Sequence, residues 1–155
     1  MSTRSVALTI SEAITGEEWV SFLMASSMDF QPPLTHLVDV SAYGQKLRER
    51  GRVLVARVGS DPVGAAAFYC NDMESRVAYL SYLYVVVGRR SKGLGQVLLR
   101  RACEISREAG MAKMRVQTSV GNQAMHLYER EGFHIEGQRI VQGIGKVVMG
   151  KNLTC

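Results

Sequence analysis

Apolar and polar positions follow two rhythms along the chain, one of period two and one near 3.6, and each marks an element. Residues 4–10 read as a short first strand. From Thr15 the spacing turns helical. Trp19, Phe22 and Leu23 share a face, Thr15 is a candidate N-cap, and Glu18 follows three residues on. The run Gln31-Pro32-Pro33 must break this helix. A second helix is expected over 39–49, closed by Gly51. Residues 52–58 and 63–71 are strand-like runs joined by Gly59-Ser60-Asp61-Pro62, turn chemistry that predicts an antiparallel hairpin. Residues 77–87 form a long third run, rich in aromatic and β-branched residues, and the best candidate for a central strand.

At Gly93 the period changes. Leu94, Val97, Leu98, Ala102, Ile105 and Ala109 lie on one helical stripe, with Arg100, Arg101, Arg107 and Glu108 away from it, and Gly110 closes the helix. A short strand over 114–118, a helix over 123–130, a strand over 132–135 and a last hairpin-like strand over 140–153 complete the pattern. It predicts an α/β (α+β) fold with a mainly antiparallel sheet and helices crossing its faces.

Length and composition narrow this. The 155 residues suit one domain over 1–155, because two would each fall below a comfortable folding size. With 46% hydrophobic and 21% charged residues, the chain is neither disordered, collagen-like nor coiled coil. The longest apolar run, residues 83–87, is far short of the about 18 residues a membrane helix needs. The N-terminus has no apolar signal core, so a cytoplasmic location and no membrane partner are expected. Cys70, Cys103 and Cys155 are odd in number and far apart, which fits neither a disulfide framework nor a metal site, and Cys70 and Cys103 read as buried small hydrophobes. A net charge of +5 and a pI near 9.3 point to an anionic partner without naming it.

The candidate chemistry lies over 84–99. A buried strand runs into the basic turn Gly88-Arg89-Arg90-Ser91-Lys92-Gly93-Leu94-Gly95, and a helix starts at once. This presents free backbone N–H groups at a positive helix end, an anion site. Gly93 and Gly95 let the backbone approach the anion, and Arg89, Arg90 and Lys92 add charge. The phosphate loop G-x-x-x-x-G-K-[ST] does not fit. The dinucleotide fingerprint fails because Leu98 stands where its third glycine belongs.

Arg90-Ser91-Lys92-Gly93-Leu94-Gly95 resembles the R/Q-x-x-G-x-G/A signature of the GNAT family of acyl-CoA-dependent N-acetyltransferases. Downstream, residues 121–133 resemble the family's N-x-x-A…Y-x-x-x-G-F segment through Asn122, Tyr128, Gly132 and Phe133. The likeness covers about residues 77–136, with the motifs in family order on the expected elements. It implies a GNAT fold: a mixed sheet of six to seven strands, splayed at the central strand and flanked by about four helices. The implied reaction moves an acetyl group from acetyl-CoA to an amine by direct attack.

The resemblance also implies roles. The backbone around Leu83, Val85, Val86 and Val87 would hold the pantetheine arm as an added strand. The N–H groups of Arg90, Ser91, Lys92, Gly93, Leu94, Gly95 and Gln96 would hold the pyrophosphate. Asn122 would contact the CoA arm, or simply cap its helix. Tyr128 would serve as cofactor-binding and catalytic residue, giving a proton to the departing thiolate; its alternative is packing against Phe133. Many members carry a glutamate base on the central strand, but Ser81 stands at that position, which leaves the base open. Asp72, Glu74, Tyr79, Tyr82 and His126 are the candidates.

The expected acceptor is the primary amine of a small molecule. Asp29-Phe30-Gln31-Pro32-Pro33-Leu34 together with Tyr69-Cys70-Asn71-Asp72 is similar to a GNAT subgroup associated with amino-sugar pathways, and Phe30 and His36 could wall the acceptor cleft. A protein N-terminal or lysine acetyltransferase, and a non-catalytic acyl-CoA sensor, are the alternatives within the fold. A nucleic-acid binder is disfavoured, because the cations cluster at the glycine turn and no nucleic-acid motif accompanies them. Exposed strands in the last hairpin leave room for a homodimer.

Overall fold

A computed structural model describes residues 8–30, 33–90, 92–120 and 122–154. Strand β1 (Leu8–Ser11) is followed by helix α1 (Gly16–Ser26), where Thr15 Oγ1 accepts the Glu18 amide at 3.1 Å and Trp19, Phe22 and Leu23 are buried. Residues 4–7 of the expected first strand lie outside the described residues. A 3₁₀ turn, Ser27–Asp29, ends α1. The one-turn helix α2 (Leu34–Leu37) was not anticipated; four residues are too few to show a period. Helix α3 (Val40–Arg50) opens on Asp39, whose Oδ1 accepts the Ala42 amide at 3.1 Å, and closes at Gly51.

Strands β2 (Arg52–Val58) and β3 (Asp61–Tyr69) form the expected hairpin with a tighter turn. Only Gly59 and Ser60 stay outside the strands, and a register shift between Ala56 and Arg57 lets Pro62 sit opposite Arg57. Strand β4 (Val77–Val85) ends two residues earlier than expected because a 3₁₀ turn, Val87–Arg89, begins there. Helix α4 (Leu94–Glu108), strand β5 (Lys113–Ser119) and helix α5 (Ala124–Arg130) match their patterns closely. Strands β6 (His134–Val141) and β7 (Ile144–Asn152) correct the expected boundary at residue 140. The chain reverses instead at Gln142 and Gly143, whose φ values of 51° and 78° suit a two-residue hairpin turn.

The seven strands run in the order β1-β2-β3-β4-β5-β7-β6, antiparallel throughout except for the parallel pair β4/β5. Among the described residues five helices flank the sheet, against about four expected. Leu98, Leu99, Ala102 and Ile105 of α4 pack on one face against Leu54, Phe68, Leu80 and Met114. Trp19, Phe22 and Leu23 of α1, with Val40 and Leu47 of α3, pack on the other against Val55, Ala67 and Tyr82. Cys70 and Cys103 are buried free thiols; burial pushes the Cys103 thiol up to about 11. No described helix is long and apolar enough to cross a membrane.

Two irregularities in β4 set its side-chain alternation and its free edge. Tyr82 pairs with Ala67 and Leu80 with Phe68, so Ser81 is an extra residue, a bulge. The bulge shifts the alternation by one: Leu80 enters the α4-side core, while Tyr82 and Tyr84 face α1 and α3. In addition, β4 and β5 are paired only from Val77/Lys113 to Leu80/Val116. Beyond that point they part, β4 staying with β3 and β5 with β7.

Candidate active site

A cavity of about 890 Å³ occupies the divergence between β4 and β5 and reaches the start of α4. At that start Gly93 takes φ +78°, a left-handed conformation that favours glycine. No side chain caps the helix, and its first internal bond is Val97 N–H to Gly93 C=O at 3.0 Å. The amides of Leu94, Gly95 and Gln96 are therefore unpaired among the described residues and lie at the positive end of a 15-residue helix. At Gly95 a Cβ would stand 3.5 Å from Leu127 and 3.9 Å from Val85, ordinary contact distances, so packing alone does not require a glycine there.

Two side-chain devices fix the basic rim. Arg90 donates from Nε to the Val85 carbonyl at 2.8 Å, and its guanidinium lies 5.3 Å from the Tyr84 ring centroid. Glu131, its side chain 4% exposed, accepts from Arg100 at 2.6 Å and from Gln96 at 2.8 Å. The Arg100 hydrogen bond holds the Glu131 carboxyl below its ordinary range.

Of the anticipated residues, Leu83, Val85, Arg90, Gly93, Leu94, Gly95, Gln96, Asn122 and Tyr128 line this one cavity. Val86, Val87 and Lys92 do not; Val87 is 64% exposed and the Val86 amide is spent on the Val63 carbonyl at 2.9 Å. Ser91 lies outside the described residues. Asn122 Oδ1 accepts the Ala124 amide at 2.8 Å, so it caps α5 while lining the cavity. Tyr128 is buried, packs 5.6 Å from Phe133 and still borders the cavity. Burial raises its phenol pKa well above the ordinary value, so it stays protonated at neutral pH.

The base candidates separate cleanly. Asp72 and Glu74 sit at the opposite end of β4, where Asp72 Oδ1 accepts the Glu74 and Ser75 amides at 3.1 Å. Tyr79 and His126 do not border the cavity, nor do His36 or the segment Tyr69 to Asp72. Ser81 and Tyr82 do. Tyr82 is bonded to Ser26 Oγ at 2.8 Å, and burial drives its pKa up. Ser81 is bonded to Tyr43, whose pKa burial pushes up to about 12.

Several lining or supporting residues carried no signal along the chain. Tyr43 comes from α3, Glu131 from the turn after α5, and Lys146 reaches from β7 to Ser119 Oγ at 2.9 Å. Asp29 is the single carboxylate bordering the cavity among the described residues. Phe30, anticipated as a wall, is beside it. Among the described residues no His, Cys, Asp and Glu cluster could hold a metal.

The chain matches the model of the acetyltransferase (GNAT) family over residues 13–133. It is 34% identical over 93 residues to a streptothricin acetyltransferase of Streptomyces lavendulae, covering 59% of this chain and 48% of that protein. It is 31% identical over 101 residues to an uncharacterised N-acetyltransferase of Methanocaldococcus jannaschii, covering 62% and 44%. The chain thus spans about half the length of these curated relatives. Among solved structures, a Salmonella typhimurium protein with its cofactor acetyl-CoA superimposes with a TM-score of 0.77 at 22% identity, over 96% of this chain and 95% of that one.

Proposed function

The chain belongs to the acetyltransferase (GNAT) family, and from that premise we propose that it is one N-acetyltransferase domain, moving an acetyl group from acetyl-CoA to the primary amine of a small molecule. The observation that carries this reading is the parting of β4 and β5 directly beside the uncapped start of α4, both in one cavity. A diphosphate suits the amides of Leu94, Gly95 and Gln96 with Arg89 and Arg90 near them. A pantetheine arm, with its two amides, suits the edge of β4 that β5 leaves, around Leu83, next to the Val85 carbonyl that Arg90 holds. The solved neighbour with acetyl-CoA supports this donor.

The neutral amine attacks the thioester carbonyl, and the electron pair of the C–S bond leaves on sulfur. Tyr128, held protonated by burial, donates a hydrogen bond to that sulfur as its charge develops, and the departing thiolate takes its proton from water. The amine's proton leaves to water. The streptothricin relative supports a small-molecule acceptor, with antibiotic amines joining amino sugars in the first panel.

Thermal unfolding with and without acetyl-CoA, at low and moderate salt, tests the donor. At 100 times Kd, binding adds about 2.7 kcal/mol, a rise of about 5 to 10 °C in Tm. A shift that survives moderate salt, followed by thiol release with an amine, is the expected result. Absence of any shift overturns the reading.

A further inference from the structure

We propose that Asp29 holds a second cationic group of the acceptor, so that the substrate is a small amine carrying at least two basic nitrogens. The inference rests on the acetyltransferase reading and extends it to a substrate class. Asp29 closes the 3₁₀ turn after α1 and borders the cavity, where the rest of the charged lining is basic: Arg89, Arg90, Arg130 and Lys146.

The walls beside Asp29 suit an ammonium group. The Phe30 and Tyr84 rings lie with centroids 5.8 Å apart, and both border the cavity. Aromatic faces attract a cation, and a carboxylate next to them supplies its counter-charge. The Tyr84 hydroxyl donates to Oδ2 of Asp29, which fixes the carboxylate, while Oδ1 takes no hydrogen bond among the described residues. Toward Asp29 itself Arg90 is loosely engaged, its Nη2 3.9 Å from Oδ2 in a substantially exposed and therefore weak pair. Its guanidinium lies over the Tyr84 ring, which leaves the Phe30 ring as the free aromatic face. A diphosphate at the start of α4 competes for that guanidinium.

The held group is not the amine that reacts. A carboxylate beside an ammonium favours the charged form, and a charged amine has no lone pair to attack with. The reacting nitrogen belongs where β4 and β5 part, beside Ser81 and Tyr128, where no carboxylate borders the cavity. Ser81 and Tyr84 are three residues apart on β4, about 10 Å along a strand, a span that a small flexible amine bridges.

The test compares spermidine and 1,8-diaminooctane, whose terminal nitrogens reach about 10 Å, with n-butylamine and glucosamine, by thiol release, for the native protein and Asp29→Asn. The amide keeps an acceptor for the Tyr84 hydroxyl and removes the charge. The native protein should prefer the dicationic amines by about tenfold or more in kcat/KM, chiefly through KM. In Asp29→Asn that ratio should fall toward one, with an acetyl-CoA thermal shift no smaller than the native one. A ratio that persists in the variant overturns the proposal, as does equal loss for all four amines or a native protein that acetylates none of the dications. Failure of the acetyltransferase reading looks different: no acetyl-CoA shift in either protein.

Discussion

Tyr43 and Ser81 are bonded twice: the Tyr43 hydroxyl donates to the Ser81 carbonyl at 3.1 Å, and the two hydroxyl oxygens stand 2.7 Å apart. Either hydroxyl can donate across the 2.7 Å contact; when the tyrosine proton goes to the carbonyl, the serine proton goes to the tyrosine oxygen. The pair is closed, and with the Tyr43 phenol pushed up to about 12 neither member accepts a proton at neutral pH. The amine must then arrive neutral. For an alkylamine of pKa about 10, kcat/KM should rise about tenfold per pH unit up to about pH 9. Tyr43→Phe should keep that slope. A plateau above pH 7 in the native protein, lost in Tyr43→Phe, would make this pair the proton acceptor.

Replacing Tyr128 by Phe removes a hydrogen-bond donor and keeps the ring against Phe133. Turnover should fall about a hundredfold with acetyl-CoA affinity nearly intact. Parallel titration calorimetry and steady-state kinetics check both numbers, and unchanged kcat would remove the tyrosine from the chemistry.

Gly93→Val separates backbone strain from ligand approach. A Cβ at Gly93 would meet only Gln96 Oε1, at 3.9 Å, so space is not the obstacle; its φ of +78° is. Tm should drop by a few degrees, the effect of about 1–2 kcal/mol. Acetyl-CoA affinity should fall about tenfold or more, because the loop that aims the three amides no longer rests in their common geometry. Calorimetric Kd values decide it, and equal affinity would mean that the glycine serves the fold alone.

Glu131 sets an acid limb of stability. Its carboxyl is held below its ordinary range by Arg100 and Gln96, and Glu12, Glu18 and Glu136 are lowered by Arg52, Arg57 and Lys113. A lowered folded pKa contributes stability above the unfolded value, about 4.3, and loses it as pH falls through the folded one. Urea midpoints should hold from pH 7 to about 5 and decline below. Glu131→Gln should cost about 1–2 kcal/mol at pH 7 and converge with the native protein near pH 3. A pH-independent difference would show that packing, not charge, is what Glu131 supplies.

What the chain discloses on its own is what is local. The Trp19-Phe22-Leu23 face, the Thr15 cap and the α4 stripe depend on neighbours within one or two turns. The first two stand where their patterns predict, while in the stripe Val97 is 45% exposed and Leu99 and Cys103 are buried instead. The glycine turn and the Asn122–Tyr128 segment are also local, and the fold brings them to one cavity. The bulge is different. Ser81 is extra only with respect to β3, so the parity change that turns Tyr82 and Tyr84 toward α1 is invisible in β4 read alone. Asp29 and Tyr43 reach the site from 55 and 38 residues away from their partners, Tyr84 and Ser81, and no local pattern encodes such meetings. The unanticipated α2 turn and the tight Gln142-Gly143 reversal were lost to shortness.

The four-residue contact between β4 and β5 gives the molecule a waist. On one side hang β1 to β4, on the other β5, β7 and β6, and few rungs tie them across the middle. A ligand strand laid in the gap would be one more rung at a junction that has four. Amide exchange at Met114 to Val116 should therefore slow when the gap is filled, far more than in the β2/β3 hairpin. A ligand filling that gap would tie the two halves of the sheet across their parallel junction, so the loaded protein would be the more cohesive one.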